Sequence, residues 1–396
     1  EVPKISGKVM IEFIRDVCSQ IGGRPGTSAA EKKTGDLIER EFSQFCDSTT
    51  QERFECHPKA FFDFIWMTVG FFTLAIIFYP FFPLFTAFFI LIGLLLFFGE
   101  QVLLWEVVDR LFPKKTSANI IGRISSAGSV KGTVLLGAHH DSAYEFTLFR
   151  HLGKKSLLLI NTTVLLALIA MILAVAKTLA IHFKFSERET IDFLQIPILA
   201  LSFMLLLLIA LTLHSSQAVL GANDNLSGVA VILEAGKAIS QNRPQNVDVL
   251  LVSFGCEELM RGSKRYVERH SKELQGPHDV LLNIDNVGAG DLQILQAEKM
   301  VLTKHSKKAV KMAEQAAIEA GLEIPTIDYI FAASDACHFS KKNIDAVSIL
   351  AMGPHGMPVN WHSRTDIPET LEEDILEQSV KFAVSFVKIV DQLAAK

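Results

Sequence analysis

The residues that could do chemistry fall in five short clusters. Residues 134–138 are apolar and small and lead into His139-His140-Asp141-Ser142, so a strand-like run ends in His-x-Asp. One imidazole nitrogen of such a pair can bind a metal while a carboxylate two residues on holds the other. Gly221-Ala222-Asn223-Asp224-Asn225-Leu226-Ser227-Gly228 runs into a helical pattern, where Asn, Asp, Ser and Gly equally suit an N-cap turn. Phe254-Gly255-Cys256-Glu257-Glu258 places adjacent carboxylates at the exit of an apolar strand, and Leu282-Asn283-Ile284-Asp285-Asn286 closes another strand on Asp. The fifth cluster is Asn360-Trp361-His362-Ser363-Arg364-Thr365-Asp366. Each alone reads as ordinary loop chemistry. Together they supply two His, two Asp and a Glu at loops that follow strands or precede a helix, where α/β sheets put their sites. A carboxylate-rich set capped by imidazoles suits paired divalent metals, whereas a structural zinc site draws on thiolates. The five cysteines, Cys18, Cys46, Cys56, Cys256 and Cys337, form no CxxC pair, which speaks against a disulfide scaffold or a zinc ribbon.

These clusters need a sheet to hold them. Short β-rich runs recur at 119–124, 133–137, 247–254, 280–284 and 346–350, and helical patterns cover 226–239, 307–320 and 371–394. Ser28 with Glu31 makes a capping box for a helix to about Phe45, and 9–21 is amphipathic. Strands alternating with helices predict an α/β fold, with a mostly parallel mixed sheet flanked by helices.

Two apolar blocks interrupt that pattern. Hydrophobic residues make up 49% of the 396 and charged residues 20%, below the roughly one quarter of an ordinary soluble protein. From Phe64 to Gly99 no residue is charged, and that is too long for one span of ~20 residues. Pro80 and Pro83 break it near the middle, so a hairpin of 60–79 and 84–107 is expected, with Trp66 and Trp105 at one interface and Tyr79 at the other. Residues 156–176 and 193–213 form a second pair around a polar tip at 177–192. Two helices per block return the chain to one side, so a single domain can be assembled from 1–58, 109–152 and 215–396. Transmembrane hairpins then occupy 59–108 and 153–214. No secretory signal pattern is visible at the start, and the net charge of −5 gives no sign of nucleic-acid binding.

In order and spacing the clusters resemble the M28 family of zinc peptidases, the co-catalytic two-zinc aminopeptidase type. The match rests on His139-His140-Asp141-Ser142, Asn223 to Gly228, Glu257-Glu258, Asn283-Ile284-Asp285, and His362 with Asp366. Arg24-Pro25-Gly26 and Ser334-Asp335 before Phe339 resemble further landmarks. The resemblance covers 8–56, 117–145 and 220–395. Successive intervals from Asp224 through Glu258 and Asp285 to His362 are 34, 27 and 77 residues, as in soluble relatives. The 85 residues from His139 to Asp224 are several-fold longer, and the second apolar block accounts for the excess.

The resemblance implies two zinc ions, with Asp224 bridging, His139 and Asp285 completing one site, and Glu258 and His362 the other. It implies Glu257 as general base, Asp141 as the partner that orients His139, and a cis peptide after Asp224. Asn223 and Cys256 depart from the family pattern at positions that are not ligands. The function implied is a membrane-embedded zinc exopeptidase, an aminopeptidase acting on peptides; a catalytically silent scaffold or receptor of the same fold is the alternative outside enzymes, and silent relatives tend to lose ligands that this chain keeps. A one-zinc glutaminyl-cyclase-like enzyme is the alternative within enzymes, and a transporter is disfavoured by the scarcity of ionisable residues in the spans. Lys and Arg near span ends favour the cytosol. Arg53, Lys59, Arg110, Lys114, Lys115, Arg150, Lys154 and Lys155 on the catalytic side, against Lys177, Lys184 and Arg188 at the second tip, predict a cytosolic catalytic domain.

Overall fold

The computed structural model describes residues 6–396 and separates into two compact units. The first gathers Glu1–Pro58, Lys114–Glu145 and Ser216–Lys396; the second gathers Lys59–Pro113 and Phe146–Ser215.

Among the described residues the first unit holds nine strands: β1 (Ser48–Cys56), β2 (Lys115–Ile124), β3 (Gly132–His139), β4 (Val247–Phe254), β5 (Val280–Ile284), β6 (Asp291–Glu298), β7 (Thr303–Lys304), β8 (Thr326–Tyr329) and β9 (Asp345–Met352). They pair in the order β1-β2-β4-β3-β5-β9-β6-β7, with β8 also on β6. The four central strands β4, β3, β5 and β9 are parallel, while β1, β2, β6 and β7 pair antiparallel along the path. The central strands are the Val-, Leu- and Ile-rich runs of the sequence, as burial on both faces requires. Val134, Leu136 and Ala138 of β3 enter one hydrophobic cluster with Gly228–Gln241 and Glu373–Ala395, while Leu135 enters another with Tyr266 and Phe339. Helices therefore cover both faces. Because the central strands run the same way, His139, Phe254 and Ile284 all end at one edge of the sheet. Helix Gly228–Gln241 starts hard against that edge: a Cβ on Gly228 would lie 2.3 Å from the carbonyl of Ile284.

In the second unit four helices, Ala60–Phe78, Pro83–Val102, Lys155–His182 and Arg188–Thr212, are long and apolar enough to cross a membrane. Pro83 opens its helix at a first-turn position, where its missing N–H costs nothing. Phe72, Ile90, Ala167, Ala170, Leu199 and Leu206 join all four helices in one cluster, with alanines where backbones come close. Phe81, Phe82, Phe85, Phe88 and Leu95 are exposed. Three expectations shift. The long helices run into the polar tip from both sides, to His182 and from Arg188, and Lys177 and Asp192 form an ion pair of 2.6 Å between them. Tyr79 turns inward: its hydroxyl donates to Asp192 and Lys177 Nζ sits 4.1 Å from its ring centroid. The first hairpin's return helix ends at Val102 through a π-turn rather than continuing to 107.

Candidate metal centre

All seven expected site residues meet at the carboxyl edge of the parallel strands. His139 ends β3, Asp285 follows β5, Glu257 and Glu258 follow β4, and Asp224 precedes the Gly228–Gln241 helix. His362 lies in the loop after β9. His139 Nε2 is 3.1 Å from Asp224 Oδ1 and 3.6 Å from Asp285 Oδ1. His362 Nε2 is 3.2 Å from Asp224 Oδ2 and 3.0 Å from Glu258 Oε2. Asp224 thus turns one oxygen to each histidine. Two three-residue groups result, His139–Asp224–Asp285 and Asp224–Glu258–His362, each with its donor atoms within 4.8 Å of one another.

The donors fit zinc. Tetrahedral bonds of ~2.0–2.2 Å put neighbouring ligand atoms ~3.3–3.6 Å apart, close to the observed separations. Asp141, Asp224, Glu257, Glu258 and Asp285 surround two imidazoles, so carboxyl groups outnumber histidines five to two. Among the described residues Glu258 Oε1 is buried and receives no hydrogen bond. Burial works against a charged His139, yet Glu257, then Asp141, Asp224 and Asp285, hold its pKa well above the ordinary value. His362 is pushed up to about 10: burial opposes this, and Glu258 and Asp224 outweigh it. Burial raises the Asp224 pKa, but hydrogen bonds from both histidines win and lower it. Burial lifts the Glu257 carboxyl well above its usual range, with His139 opposing and Asp335 and Asp285 adding. The pocket calls for cations.

Backbone amides are held by side chains. Cys256 leaves β4 in the left-handed region, with φ 52°, so the loop behind it cannot pair with the sheet. Four successive amides are satisfied instead: Gly255 N–H by Asn119 at 3.2 Å, Cys256 N–H by Glu31 at 2.8 Å, and Glu257 and Glu258 N–H by the two oxygens of Asp141 at 3.0 and 3.2 Å. Asp141 Oδ1 also lies 3.4 Å from His139 Nδ1. Asp366 accepts from the amides of Asn223 and Asp224 at 2.6 and 3.1 Å. Asn223 accepts from Gly288 N–H and donates to Val359 O, using both ends of its side-chain amide. The Asp224–Asn225 peptide is cis.

Three supporting residues carried no role in the sequence. Arg24 is fully buried and donates to the carbonyls of His140, Leu220 and Gly221 at 2.9, 2.6 and 3.1 Å, tying the loop of His139 to that of Asp224. The signal was present in Arg24-Pro25-Gly26, without a partner to explain it. Glu31 was read only as a cap. Ser28 does accept from Glu31 N–H, but one Glu31 oxygen reaches Thr27 N–H and the other takes Ser117 Oγ–H and Cys256 N–H. Asn119 was read only as the start of a strand.

Residues 209–387 match the profile described as peptidase family M28, a span that includes Asp224, Glu257, Glu258, Asp285 and His362. Aminopeptidase YwaD of Bacillus subtilis is 26% identical over 162 residues, which is 40% of this chain and 35% of that protein, so the alignment spans about a third of the relative's length. The crystal structure of BSAP, a zinc aminopeptidase from Bacillus subtilis, superposes with a TM-score of 0.57 at 16% identity, covering 98% of this chain and 95% of that one. A glutaminyl cyclase from an Acidobacteriales bacterium gives 0.58 at 13% identity, covering 99% and 97%. At such identities the structural likeness speaks to the fold. With the profile match and the ordered site residues beside it, the chain is similar to peptidase family M28 over residues 209–387.

Proposed function

We propose that the chain is a membrane-embedded, zinc-dependent exopeptidase, in the first instance an aminopeptidase, that holds two zinc ions. The carrying observation is Asp224, whose two oxygens face different histidines, each backed by a further carboxylate. His139, Asp224 and Asp285 would hold one ion, and Asp224, Glu258 and His362 the other. When bound, such a pair would polarise a scissile carbonyl and make a neighbouring water more acidic. Glu257 Oε2, 3.6 Å from His139 Nε2, faces the same focus. It takes the proton of the attacking water and passes it to the leaving amine. Asp141 fixes the Glu257 amide and orients His139.

The test is cleavage of a library of free and N-acetylated peptides by detergent-purified protein, with zinc counted by elemental analysis. Two zinc ions per chain, cleavage from the free N-terminus and abolition by chelator are expected. One zinc with cyclisation of N-terminal glutamine would favour the glutaminyl-cyclase reading, and no turnover with zinc bound would favour a silent scaffold.

The four apolar helices support a multi-pass protein. The pairing of Lys177 with Asp192 takes one positive charge from the second tip. That leaves Lys184 and Arg188 there against eight near the catalytic unit, which favours a cytosolic catalytic domain. Alkaline carbonate is expected to leave the protein in the membrane pellet; release of intact chain into the supernatant would contradict spanning helices.

A further inference from the structure

Cys56 and Cys256 stand 200 residues apart in the sequence, and no spacing rule joins them. The sheet does. Cys56 is the last residue of β1 and pairs with Lys115 at the start of β2; β4 lies on the other side of β2, and Cys256 is two residues past its end. Both side chains are fully buried, and their Sγ atoms are 3.9 Å apart. Among the described residues no other two thiols touch. Cys256 also directly precedes Glu257 and Glu258.

We propose that Cys56 and Cys256 form a redox-modification site, in which a hydroperoxide converts the pair to a disulfide and thereby displaces the loop bearing Glu257 and Glu258. The peroxide oxidises Cys56 to a sulfenic acid as its O–O bond breaks and water leaves. Cys256 sulfur attacks the sulfenic sulfur, the S–S bond forms, and a second water carries off the hydroxyl with the Cys256 proton. Two thiols and one hydrogen peroxide give one disulfide and two waters. Access comes through β1, an edge strand hydrogen-bonded to β2 alone, whose end can open locally.

The consequence follows from distance. A disulfide holds its sulfurs ~2.05 Å apart, so a pair at 3.9 Å must close by about 1.9 Å. Cys256 has little room to give. Its amide is fixed by Glu31, its φ is 52°, and a Cβ on Gly26 would already lie 2.8 Å from its sulfur. Displacement of Cys256 passes directly into the next two residues, whose amides Asp141 holds. Loss of activity rests on the peptidase reading above and zinc release on the zinc site it includes; the cross-link rests on neither.

The experiment treats zinc-loaded, detergent-purified full chain with hydrogen peroxide, quenches with catalase, and alkylates under denaturing conditions before tryptic mass spectrometry. Alkylatable thiols are expected to fall from five to three, with a cross-linked peptide joining 54–59 to the peptide of Cys256. Zinc release to a chromophoric chelator should rise, and peptide turnover fall, in step with the cross-link, and dithiothreitol should reverse all three. Cys56→Ser should keep its untreated turnover and lose the response. Five alkylatable thiols after peroxide, over-oxidation of Cys256 without a cross-link, a cross-link with unchanged zinc retention, or equal zinc release in Cys56→Ser would each overturn the proposal. If no peptide is cleaved under any condition, the peptidase reading fails while the cross-link and zinc release still decide this one.

Discussion

Glu257→Gln is expected to cut kcat by ~10²–10⁴-fold, the usual share of a positioned general base, while leaving the zinc content unchanged. Gln preserves the shape of the side chain and the backbone N–H that Asp141 accepts. It removes only the ability to take a proton. The loss corresponds to roughly 3–5 kcal/mol of barrier, more than any repositioning of the neighbouring loop would supply through an intact amide. Steady-state kinetics and elemental analysis on the same preparation check it. Wild-type turnover in the variant would remove Glu257 from the reaction, and loss of zinc would make it a ligand instead.

The parallel core and the site were legible because one physical constraint produced both. Strands buried on two faces must be nearly all apolar, so β3, β4, β5 and β9 stand out, and the polar residues that end them stand out in turn. Position at the sheet edge then follows from parallel order. Of the flanking strands only β2 was legible, and only over 119–124 of Lys115–Ile124. β1 reads Ser-Thr-Thr-Gln-Glu-Arg-Phe-Glu-Cys, an edge strand with charged outward positions and only two buried side chains. β8 has four residues, and its partner β6 mixes Gln and Glu with Leu and Ile, so neither makes a clean alternating pattern. The ionic pairing of Lys177 with Asp192 was invisible for another reason: charges near a helix end read as a loop unless their partner across the hairpin is known.

Supporting residues were the hardest to read. Arg24 and Glu31 act through atoms of loops more than a hundred residues away, and Glu31 was already explained by its local cap. A buried Arg that donates to three separate loop carbonyls leaves no trace in periodicity. What the sequence offers is the type of residue; what it withholds is the backbone group the residue must satisfy, because left-handed turns such as the one at Cys256 are set by tertiary contact.

Asp224→Ala is expected to take the zinc content from two per chain to near zero, whereas Asp285→Ala and Glu258→Ala each take it to about one. The difference comes from the sharing. Each outer carboxylate belongs to one three-residue group, but Asp224 belongs to both, so its removal leaves two protein ligands at each position. Peptide turnover in Asp224→Ala should fall to the level of chelated wild type. Stability should separate the loss of zinc from damage to the fold. Relative to zinc-loaded wild type the variant should unfold at lower temperature, since a ligand at a hundred times its Kd contributes about 2.7 kcal/mol per site. Relative to wild type in chelator a small further loss is expected: truncation relieves the repulsion of Asp224 on Glu258 and Asp285 but removes its hydrogen bonds from His139 and His362, which lower the Asp224 pKa overall. Its backbone hydrogen bond to Asp366 is unaffected by truncation at Cβ. Thermal unfolding followed in zinc and in chelator gives both comparisons. A variant that keeps one tightly bound zinc would show that Asp224 serves a single ion, and one that no longer unfolds cooperatively in chelator would make Asp224 a structural carboxylate instead.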